Sequence, residues 1–373
     1  MNPERRTADP VVSLSISLDP NAQGLAPSLP LPNGIVVVNK PAGMSSNGVL
    51  NRLKEALAAR PGAPKGKAGR VKMGFLGTLD PMATGVLPVF LGKATGLISL
   101  FEGLDKEYRV GLELGVETDT HDLEGAVTAR HDPSGVTAQA LGAALARYQG
   151  EMIQATPAYS AVKTDGVPAY KRARRGETPP PKTRTIRLTA PQLEDISLPR
   201  AVFRVGCSSG TYMRVLVHDL GRDLGVGAAA FLIQRLRVGA LFLLEKSYTL
   251  DTLTSMLREG RFQAVESPVG FLKPSGFQAL TLDGPMEQKI RQGARVEIPP
   301  GLLSDPNRLP VERQPWMALR PDGTLVAVGV AVRIETTGNT GMPLKASGEF
   351  QNESSSELLN TGWAFQPQRV LVE

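Results

Sequence analysis

Residues 74–89 read Gly-Phe-Leu-Gly-Thr-Leu-Asp-Pro-Met-Ala-Thr-Gly-Val-Leu-Pro-Val and place one carboxylate, that of Asp80, directly before an apolar run. Gly74 and Gly77 precede this aspartate, and Pro81 follows it. Glycine admits a tight backbone path and proline fixes φ, so the pattern predicts a rigid loop that aims the carboxylate, followed by a buried strand. Asp-Pro is also a common turn dipeptide, and an ordinary surface turn is the alternative interpretation.

The composition is that of a globular protein. Its 373 residues exceed the usual size of a single core, so we expect two domains. With 41% hydrophobic residues, 21% charged residues and no apolar run near the roughly 20 residues of a membrane span, the sequence predicts a soluble protein without a membrane partner. Cys207 is the one cysteine, which excludes an internal disulfide and, with three histidines, an ordinary zinc site. These features favour a cytoplasmic location for the protein.

Basic residues concentrate in two segments rich in Gly, Pro or Thr. The net charge is +6, from 42 basic and 36 acidic residues, and residues 163–187 hold eight basic residues against Asp165 and Glu177. Such clusters in loops predict a polyanion partner, whereas a solvated charge run that maintains solubility is the alternative. The first cluster is Lys65, Lys67, Arg70 and Lys72, and the second is Lys163, Lys171, Arg172, Arg174, Arg175, Lys182, Arg184 and Arg187.

Residues 33–268 mix predicted strands and helices and form the first expected domain. The mixed order of these elements favours an α+β fold. The residues before it, 1–32, are rich in Pro and Ser and predict a disordered tail without a signal peptide. The patterns predict strands over 34–39, 106–114 and 202–205, and helices after Ser45 or Ser46, over 136–149 and over 211–224.

The sequence changes in character after residue 268. Short β runs separated by turns such as Pro321-Asp322-Gly323 predict a small all-β domain over residues 269–373. Within it, residues 334–361 are rich in Gly, Asn, Ser and Thr, which predicts a mobile loop.

One pattern points to a different chemistry. Residues 206–210, Gly-Cys-Ser-Ser-Gly, match the nucleophile elbow of serine hydrolases between a predicted strand and helix. Such an enzyme needs an acid and then a histidine downstream of Ser208. The only downstream histidine, His218, lies inside the next predicted helix. The order of residues therefore argues against a hydrolase.

A set of motifs in order resembles the TruB branch of the pseudouridine synthases, from residue 34 to about residue 239. The resemblance implies the pseudouridine synthase fold, with a mixed and mainly antiparallel sheet flanked by helices, and a PUA-like RNA-binding domain at the C-terminal end. It implies isomerisation of a uridine in the T-loop of transfer RNA. The matching segments are Lys40-Pro41 with Ser45-Ser46, residues 77–85, Lys106-Glu107-Tyr108 with Thr118-Asp119-Thr120, residues 157–163 with Ala169-Tyr170, and residues 207–214.

The resemblance also implies roles for particular residues. Asp80 is the expected catalytic aspartate, Tyr108 packs against the flipped base, and Arg214 holds Asp80. The expected pocket includes Tyr212 and Ile233, with Lys40 and Pro41 near the catalytic loop. The basic residues of 163–187 bind RNA, and the isomerisation requires no cofactor and no metal. We further expect the T-arm of tRNA as partner, no obligatory protein partner and a monomer.

Each of these residues has an alternative role that is purely structural. Tyr108 and Tyr212 fit half-buried core aromatics, and Ile233 fits the ordinary core. Arg214 has Asp219 and Asp223 within reach on its own predicted helix.

Two positions depart from the family pattern. Phe75 stands where the family usually has a histidine, and Ala229 stands at a second position where histidine is common. Phenylalanine keeps a flat π-face that fills the gap left by an extruded base, but it loses hydrogen bonding. The alternative function is therefore a diverged member that acts mainly as a tRNA-binding or RNA-folding protein. The sequence also leaves open whether Asp80 attacks C1′ or removes the C2′ proton.

Overall fold

The computed structural model describes residues 33–64, 66, 70–157, 163–164, 167–168, 182–299, 301, 310–335 and 361–371. The predicted tail over 1–32 and most of the predicted loop over 334–361 lie outside these residues. The described helices are α1 (Ser46–Ala58), α2 (Ala138–Ala146), α3 (Met213–Asp223), α4 (Leu250–Arg258), α5 (Val269–Leu272) and α6 (Gly284–Arg291), with 3-10 helices at Gly92–Leu100, Leu244–Lys246 and Lys273–Ser275. The strands are β1 (Gly34–Lys40), β2 (Met73–Phe75), β3 (Thr84–Leu91), β4 (Lys106–Leu114), β5 (Val116–Thr118), β6 (Val127–Arg130), β7 (Gly150–Ala155), β8 (Lys163–Thr164), β9 (Val167–Pro168), β10 (Thr183–Ser197), β11 (Arg200–Cys207), β12 (Ala228–Val238), β13 (Phe242–Leu243), β14 (Tyr248–Thr249), β15 (Gln278–Thr281), β16 (Val296–Glu297), β17 (Pro315–Leu319), β18 (Leu325–Glu335) and β19 (Thr361–Val370).

One large sheet forms the centre of the molecule. In the described part of the chain it has ten strands, in the order β14-β1-β3-β12-β4-β11-β10-β7, with β13 beside β12 and β2 beside β3. The pairs β1–β14 and β3–β12 are parallel, and the other pairs are antiparallel. The predicted α+β class with a mixed, mainly antiparallel sheet is confirmed.

Strand β1 is buried on both faces, as its unbroken β-branched sequence predicts. Ile35 belongs to a core that includes β3 and the 3-10 helix after it, whereas Val36 belongs to a second core with α1 and α4. Helix α1 begins after Ser45, because the Ser45 Oγ accepts a hydrogen bond of 3.0 Å from the Gly48 N–H. The predicted cap and the apolar face of this helix are both present.

Strand β4 separates two very different faces of the sheet. Alternate residues from Lys106, including Tyr108, are buried toward a core shared with α2 and α3. The intervening residues lie on the opposite face, which we call the back face, among ion pairs with neighbouring strands. Arg109 Nε lies 2.7 Å from a Glu194 oxygen, and Arg237 Nε lies 2.5 Å from a Glu107 oxygen. The candidate site therefore lies on the face of the sheet that packs against α3, opposite the back face.

The C-terminal region forms a separate sheet in the order β15-β17-β18-β19-β16. The prediction of a domain built from strands alone is corrected by α6, which lies between β15 and β16. Asp283-Gly284-Pro285 has the composition of a turn, but Asp283 Oδ1 accepts a hydrogen bond of 2.8 Å from the Met286 N–H and starts a helix. In the described residues no helix has the length and apolar character needed to cross a membrane.

The two sheets share one hydrophobic core. Met317 and Leu325 of the C-terminal sheet pack in the same cluster as Phe242 and Phe271. The rings of Phe242 and Phe271 are stacked, with centroids 5.0 Å apart. Phe242 therefore connects the large sheet to the segment that leads into the C-terminal region.

We expect Phe242→Ala to lower the free energy of unfolding by about 3–5 kcal/mol, because it leaves a cavity in a fully buried aromatic cluster. Urea unfolding followed by circular dichroism measures this loss. Phe231→Ala serves as a control, because Phe231 is only half-buried on the back face. Equal losses for both variants would contradict the central role of Phe242.

Candidate active site

A cavity of about 510 Å³ opens beside the Asp80 loop. The loop is the connection between β2 and β3, which pair as an antiparallel hairpin with Phe75 opposite Val89. The hairpin, β4, the start of α3 and β12 together surround the cavity. Five residues singled out by the sequence line it: Phe75, Asp80, Tyr108, Tyr212 and Ile233.

The Asp80 carboxylate is held by a buried arginine. Its side chain is 39% exposed, and its Oδ2 accepts a hydrogen bond of 2.8 Å from Arg214 Nε. Arg214 is 3% exposed and lies on the first turn of α3. The alternative partners on its own helix are engaged elsewhere: Asp219 contacts Arg222 at 3.3 Å, and Asp223 accepts a hydrogen bond from the Tyr148 hydroxyl at 2.9 Å.

A second carboxylate contacts the same guanidinium. Asp122, 6% exposed, has its Oδ2 3.5 Å from Arg214 Nε, and Arg214 Nη1 donates to the Thr120 carbonyl at 2.5 Å. Asp122 in turn accepts from the Thr120 hydroxyl at 2.7 Å. A cation between two carboxylates compensates the charge of both, which makes a deeply buried arginine tolerable. Asp122 was not predicted from the sequence to belong to the site, although it lies two residues after the matched segment Thr118-Asp119-Thr120.

Lys40 attaches the Asp80 loop to the end of β1. Its fully buried amine donates to the carbonyls of Pro41 at 2.8 Å, Pro81 at 3.1 Å and Met44. Burial lowers the pKa of Lys40 to about 8, and the negative charge of Asp80 offsets part of this effect. Lys40 and the exposed Pro41 are thus beside the loop, as the resemblance implies, but they do not belong to the cavity lining.

Two further side chains fix the loop, and neither was predicted from the sequence to belong to the site. Ser46 Oγ accepts from the Leu79 N–H at 2.9 Å and donates to the Leu79 carbonyl at 3.1 Å. Arg235, 1% exposed on β12, donates to the Gly77 carbonyl at 2.9 Å and to the Val86 carbonyl at 2.7 Å. One guanidinium therefore bonds both the start of the loop and the strand that follows it.

Gly85 shows why the loop needs glycine where it enters β3. Its φ of +99° is a conformation that other residues rarely adopt. A Cβ there would overlap the backbone of Arg235, which lies against it in the parallel pair of β3 and β12.

Apolar and polar side chains both line the cavity. Tyr108 is 7% exposed, and burial raises the pKa of its hydroxyl. Burial likewise raises the pKa of the Cys207 thiol to about 11 and lowers the pKa of the Lys106 amine. Lys106 donates to the Leu104 carbonyl at 2.5 Å. Gln154 holds Tyr212 through its backbone, since its side chain bonds the Tyr212 N–H at 2.8 Å and the Tyr212 carbonyl at 3.0 Å.

Comparison with known proteins places this chain in a family. The family described as "TruB family pseudouridylate synthase (N terminal domain)" matches residues 65–213. The tRNA pseudouridine synthase B of Burkholderia mallei (strain NCTC 10247) is 40% identical over 266 residues, which cover 71% of this chain and 83% of that protein. The protein of the same name from Geotalea uraniireducens (strain Rf4) is 38% identical over 262 residues, or 70% of this chain and 80% of that protein. This chain belongs to the TruB family.

A solved structure supports the fold independently. The structure titled "Crystal Structure of a Cbf5-Nop10-Gar1 Complex" superposes with a TM-score of 0.58 at 23% identity and covers 91% of this chain and 85% of that chain. At this identity the likeness establishes the fold alone. The predicted pseudouridine synthase fold with a separate C-terminal sheet, and the resemblance to the TruB family, are both confirmed.

Within this TruB family member, the two departures occupy different environments. Phe75 is half-buried in β2 and lines the cavity. Ala229 is fully buried in β12, opposite Glu113 of β4, and does not belong to the cavity lining. Of the two, only Phe75 is placed to contact a ligand in the cavity.

The basic residues are described only in part. Arg70 and Lys72 are exposed just before β2. Arg184 lies at the cavity edge, where it donates to the Gly210 carbonyl at 3.1 Å and has its guanidinium carbon 5.5 Å from the Tyr212 ring centre. The remaining candidates, Lys65, Lys67, the side chain of Lys163, Lys171, Arg172, Arg174 and Arg175, lie outside the described residues.

We expect Arg235→Met to lower the free energy of unfolding by about 3 kcal/mol or more, because each orphaned buried carbonyl costs about 1–3 kcal/mol. Urea unfolding measures the loss. Arg237→Met is the matched control two residues away, since its partly exposed pair with Glu107 is worth about 1 kcal/mol or less. A loss for Arg235→Met no larger than for the control would contradict the role of Arg235 in holding the loop.

Proposed function

We propose that this protein converts a specific uridine in the T-loop of tRNA to pseudouridine, with Asp80 as the catalytic residue. The observation that carries the proposal is the Asp80 carboxylate at the cavity, fixed by the buried Arg214. Membership in a family of pseudouridylate synthases and relatives named tRNA pseudouridine synthase B support the same reaction and substrate.

The reaction requires little from the protein besides one carboxylate and a closed environment. The bond between N1 of uracil and C1′ breaks, the base turns, and a bond between C5 and C1′ forms. The hydrogen on C5 leaves as a proton, and N1 gains a proton in its place. Asp80 either attacks C1′ or removes the C2′ proton. The adjacent Arg214 stabilises the negative charge of the carboxylate that either route needs. Product and substrate have the same composition, so the overall change consumes no oxidant and no nucleotide.

Exclusion of water is the second requirement, because water at C1′ would turn isomerisation into hydrolysis. Tyr108 and Ile233 are buried and line the cavity beside Asp80. A uridine in a folded loop must be extruded to reach them, at a cost of a few kcal/mol. Stacking on an aromatic ring returns about 1–3 kcal/mol per base. We propose that Tyr108 stacks on the extruded base inside the cavity. Phe75 then fills the gap that this base leaves in the RNA.

Affinity for RNA would come from phosphate contacts away from the reacting base. We propose that the basic segment 163–187 grips the T-arm and that residues 269–373 form a PUA-like RNA-binding domain beside the catalytic domain, 33–268. Arg184 belongs to this basic segment and lies at the cavity edge, so it connects RNA binding with the candidate active site. We further propose that the protein acts as a cytoplasmic monomer without an obligatory protein partner.

The first test measures tritium release from tRNA labelled at C5 of uridine. We expect wild type to release one label per RNA, and Asp80→Asn to lower the rate by at least about 10³-fold while RNA binding persists, since removal of a reacting group has effects of this size. Glu102→Gln is the matched control, because Glu102 also lines the cavity.

Comparable release by Asp80→Asn and wild type would overturn the catalytic assignment of Asp80. Tight tRNA binding by wild type without any release would instead indicate the alternative, a diverged RNA-binding protein.

The second test concerns the basic segment. We expect replacement of Arg172, Arg174 and Arg175 by Gln to flatten the dependence of log K on log salt by about 0.7–0.9 for each phosphate that the variant no longer binds. Filter binding of unmodified tRNA over a range of salt concentrations measures the slope. The same three-residue change at Arg52, Arg130 and Arg258, on other parts of the chain, should leave the slope near that of wild type. An unchanged slope in the first variant would show that these arginines do not contact phosphates.

A further inference from the structure

All three histidines of the chain gather around one carboxylate behind the candidate active site. His131 Nε2 lies 3.0 Å from Glu117 Oε1, and His218 Nδ1 lies 4.0 Å from Glu117 Oε2. His121 packs against His218 with ring centroids 4.1 Å apart and an interplanar angle of 37°. None of the three belongs to the described lining of the cavity, so the proposed reaction gives them no direct role.

The ring pair connects the two elements that hold Arg214. His121 lies between Thr120 and Asp122, the residues that contact the Arg214 guanidinium. His218 lies on α3, one helical turn after Arg214. The turn that follows β5 therefore touches α3 at two points, through the guanidinium and through the tilted contact of the two rings, which we call the stack.

The backbone at His121 indicates that its ring position is imposed by its surroundings. Its φ is +64°, a conformation that is uncommon outside glycine, although histidine and asparagine adopt it more readily than most residues. The turn is also bonded to β12, since the Ala230 N–H donates to the His121 carbonyl at 3.0 Å. With its backbone fixed on β12, His121 directs its ring toward α3.

The contact between the two rings suits a neutral His121. Neither His121 Nδ1 nor His218 Nδ1, both buried, has a hydrogen-bond partner among the described residues. A neutral ring can leave Nδ1 without a proton, but a protonated ring carries a hydrogen on both nitrogens. The groups that face His121 are His218 and Arg214 from α3, Glu117 from β5 and Asp119 from the turn. Burial and the two basic neighbours outweigh the carboxylates and lower the pKa of His121 to about 4.

We propose that His121 and His218 are positioning residues for this enzyme: their packed rings hold the turn that supplies Thr120 and Asp122 to Arg214, and so keep Arg214 on Asp80. The inference rests on the proposed function, because its kinetic readout is uridine isomerisation. Neither ring touches the substrate, so both act through the guanidinium. Loss of the stack loosens the placement of Asp80 without altering the surface that binds RNA.

The experiment compares variants that remove a ring with one that keeps it. His121→Asn suits the positive φ and removes one ring, and His218→Gln removes the other from the helix. His218→Phe keeps a flat ring that cannot be protonated. His131→Asn is the matched control, because His131 touches Glu117 but is not part of the stack.

We expect kcat for tritium release at pH 7.5 to fall about tenfold in His121→Asn and in His218→Gln, with KM for tRNA unchanged, since small displacements of reacting groups have effects of this order or larger. We expect His218→Phe and His131→Asn to stay within about twofold of wild type, because neither loses the stack. The double variant of His121→Asn and His218→Gln should show no larger fall in kcat than either single variant, because both substitutions remove the same contact.

The proposal would be overturned if His121→Asn kept the kcat of wild type. It would also be overturned if the ring-removing variants raised KM and left kcat unchanged, or if His218→Phe lost activity. Absence of tritium release in wild type would overturn the proposed function instead.

A measurement without substrate tests the stack itself. The pKa of His121 is about 4 in the folded protein and near 6.5 in the unfolded chain, so the folded state binds fewer protons between these values. Its contribution to stability is present above pH 6.5 and is lost as the pH falls toward 4. We expect the urea midpoint of wild type to fall relative to that of His121→Asn over this range. Parallel midpoints would contradict a neutral His121 in the stack and overturn the proposal.

Discussion

A buried guanidinium shared by two carboxylates organises the candidate site. Arginine side chains carry a positive charge in proteins, so the burial of Arg214 on α3 is tolerable only where opposite charges meet it. Asp80 approaches from the β2–β3 loop, and Asp122 approaches from the turn after β5. Three segments far apart in sequence therefore have to converge before the charge is compensated. The same interaction that makes the fold tolerate the arginine also points a carboxylate into the cavity.

The Asp80 loop has little regular structure of its own, and its shape is imposed by side chains around it. Ser46 bonds both backbone groups of Leu79, Lys40 bonds the Pro81 carbonyl, and Arg235 bonds carbonyls at the start of the loop and in the strand that follows it. Each of these side chains comes from a regular element or its edge, so the rigidity of the sheet and of α1 is transmitted to the loop. Precise placement of a reacting group on rigid elements is what catalysis requires.

The sequence predicted those parts of this arrangement that have local signals. Strand β4 matched its alternating pattern over residues 106–114, and α1 matched its serine cap and apolar face. Asp122 and Arg235 were missed because their significance lies in partners about 90 and 150 residues away, Arg214 and Val86, which no local pattern reveals. Helix α6 was missed because its capping residues have the composition of a turn. The basic segment 163–187 stays a prediction over most of its length.

The back face of the sheet and the rim of the cavity differ in how their basic side chains are paired. Arg109 and Arg204 each meet Glu194, and Arg237 meets Glu107, so these cations already have anionic neighbours. An approaching polyanion gains little by displacing such pairs, because binding is driven by cations that release counterions from phosphate. Arg184 instead donates to a backbone carbonyl at the rim of the cavity. The paired arginines of the back face therefore favour contact with a polyanion less than a cation at the cavity rim does.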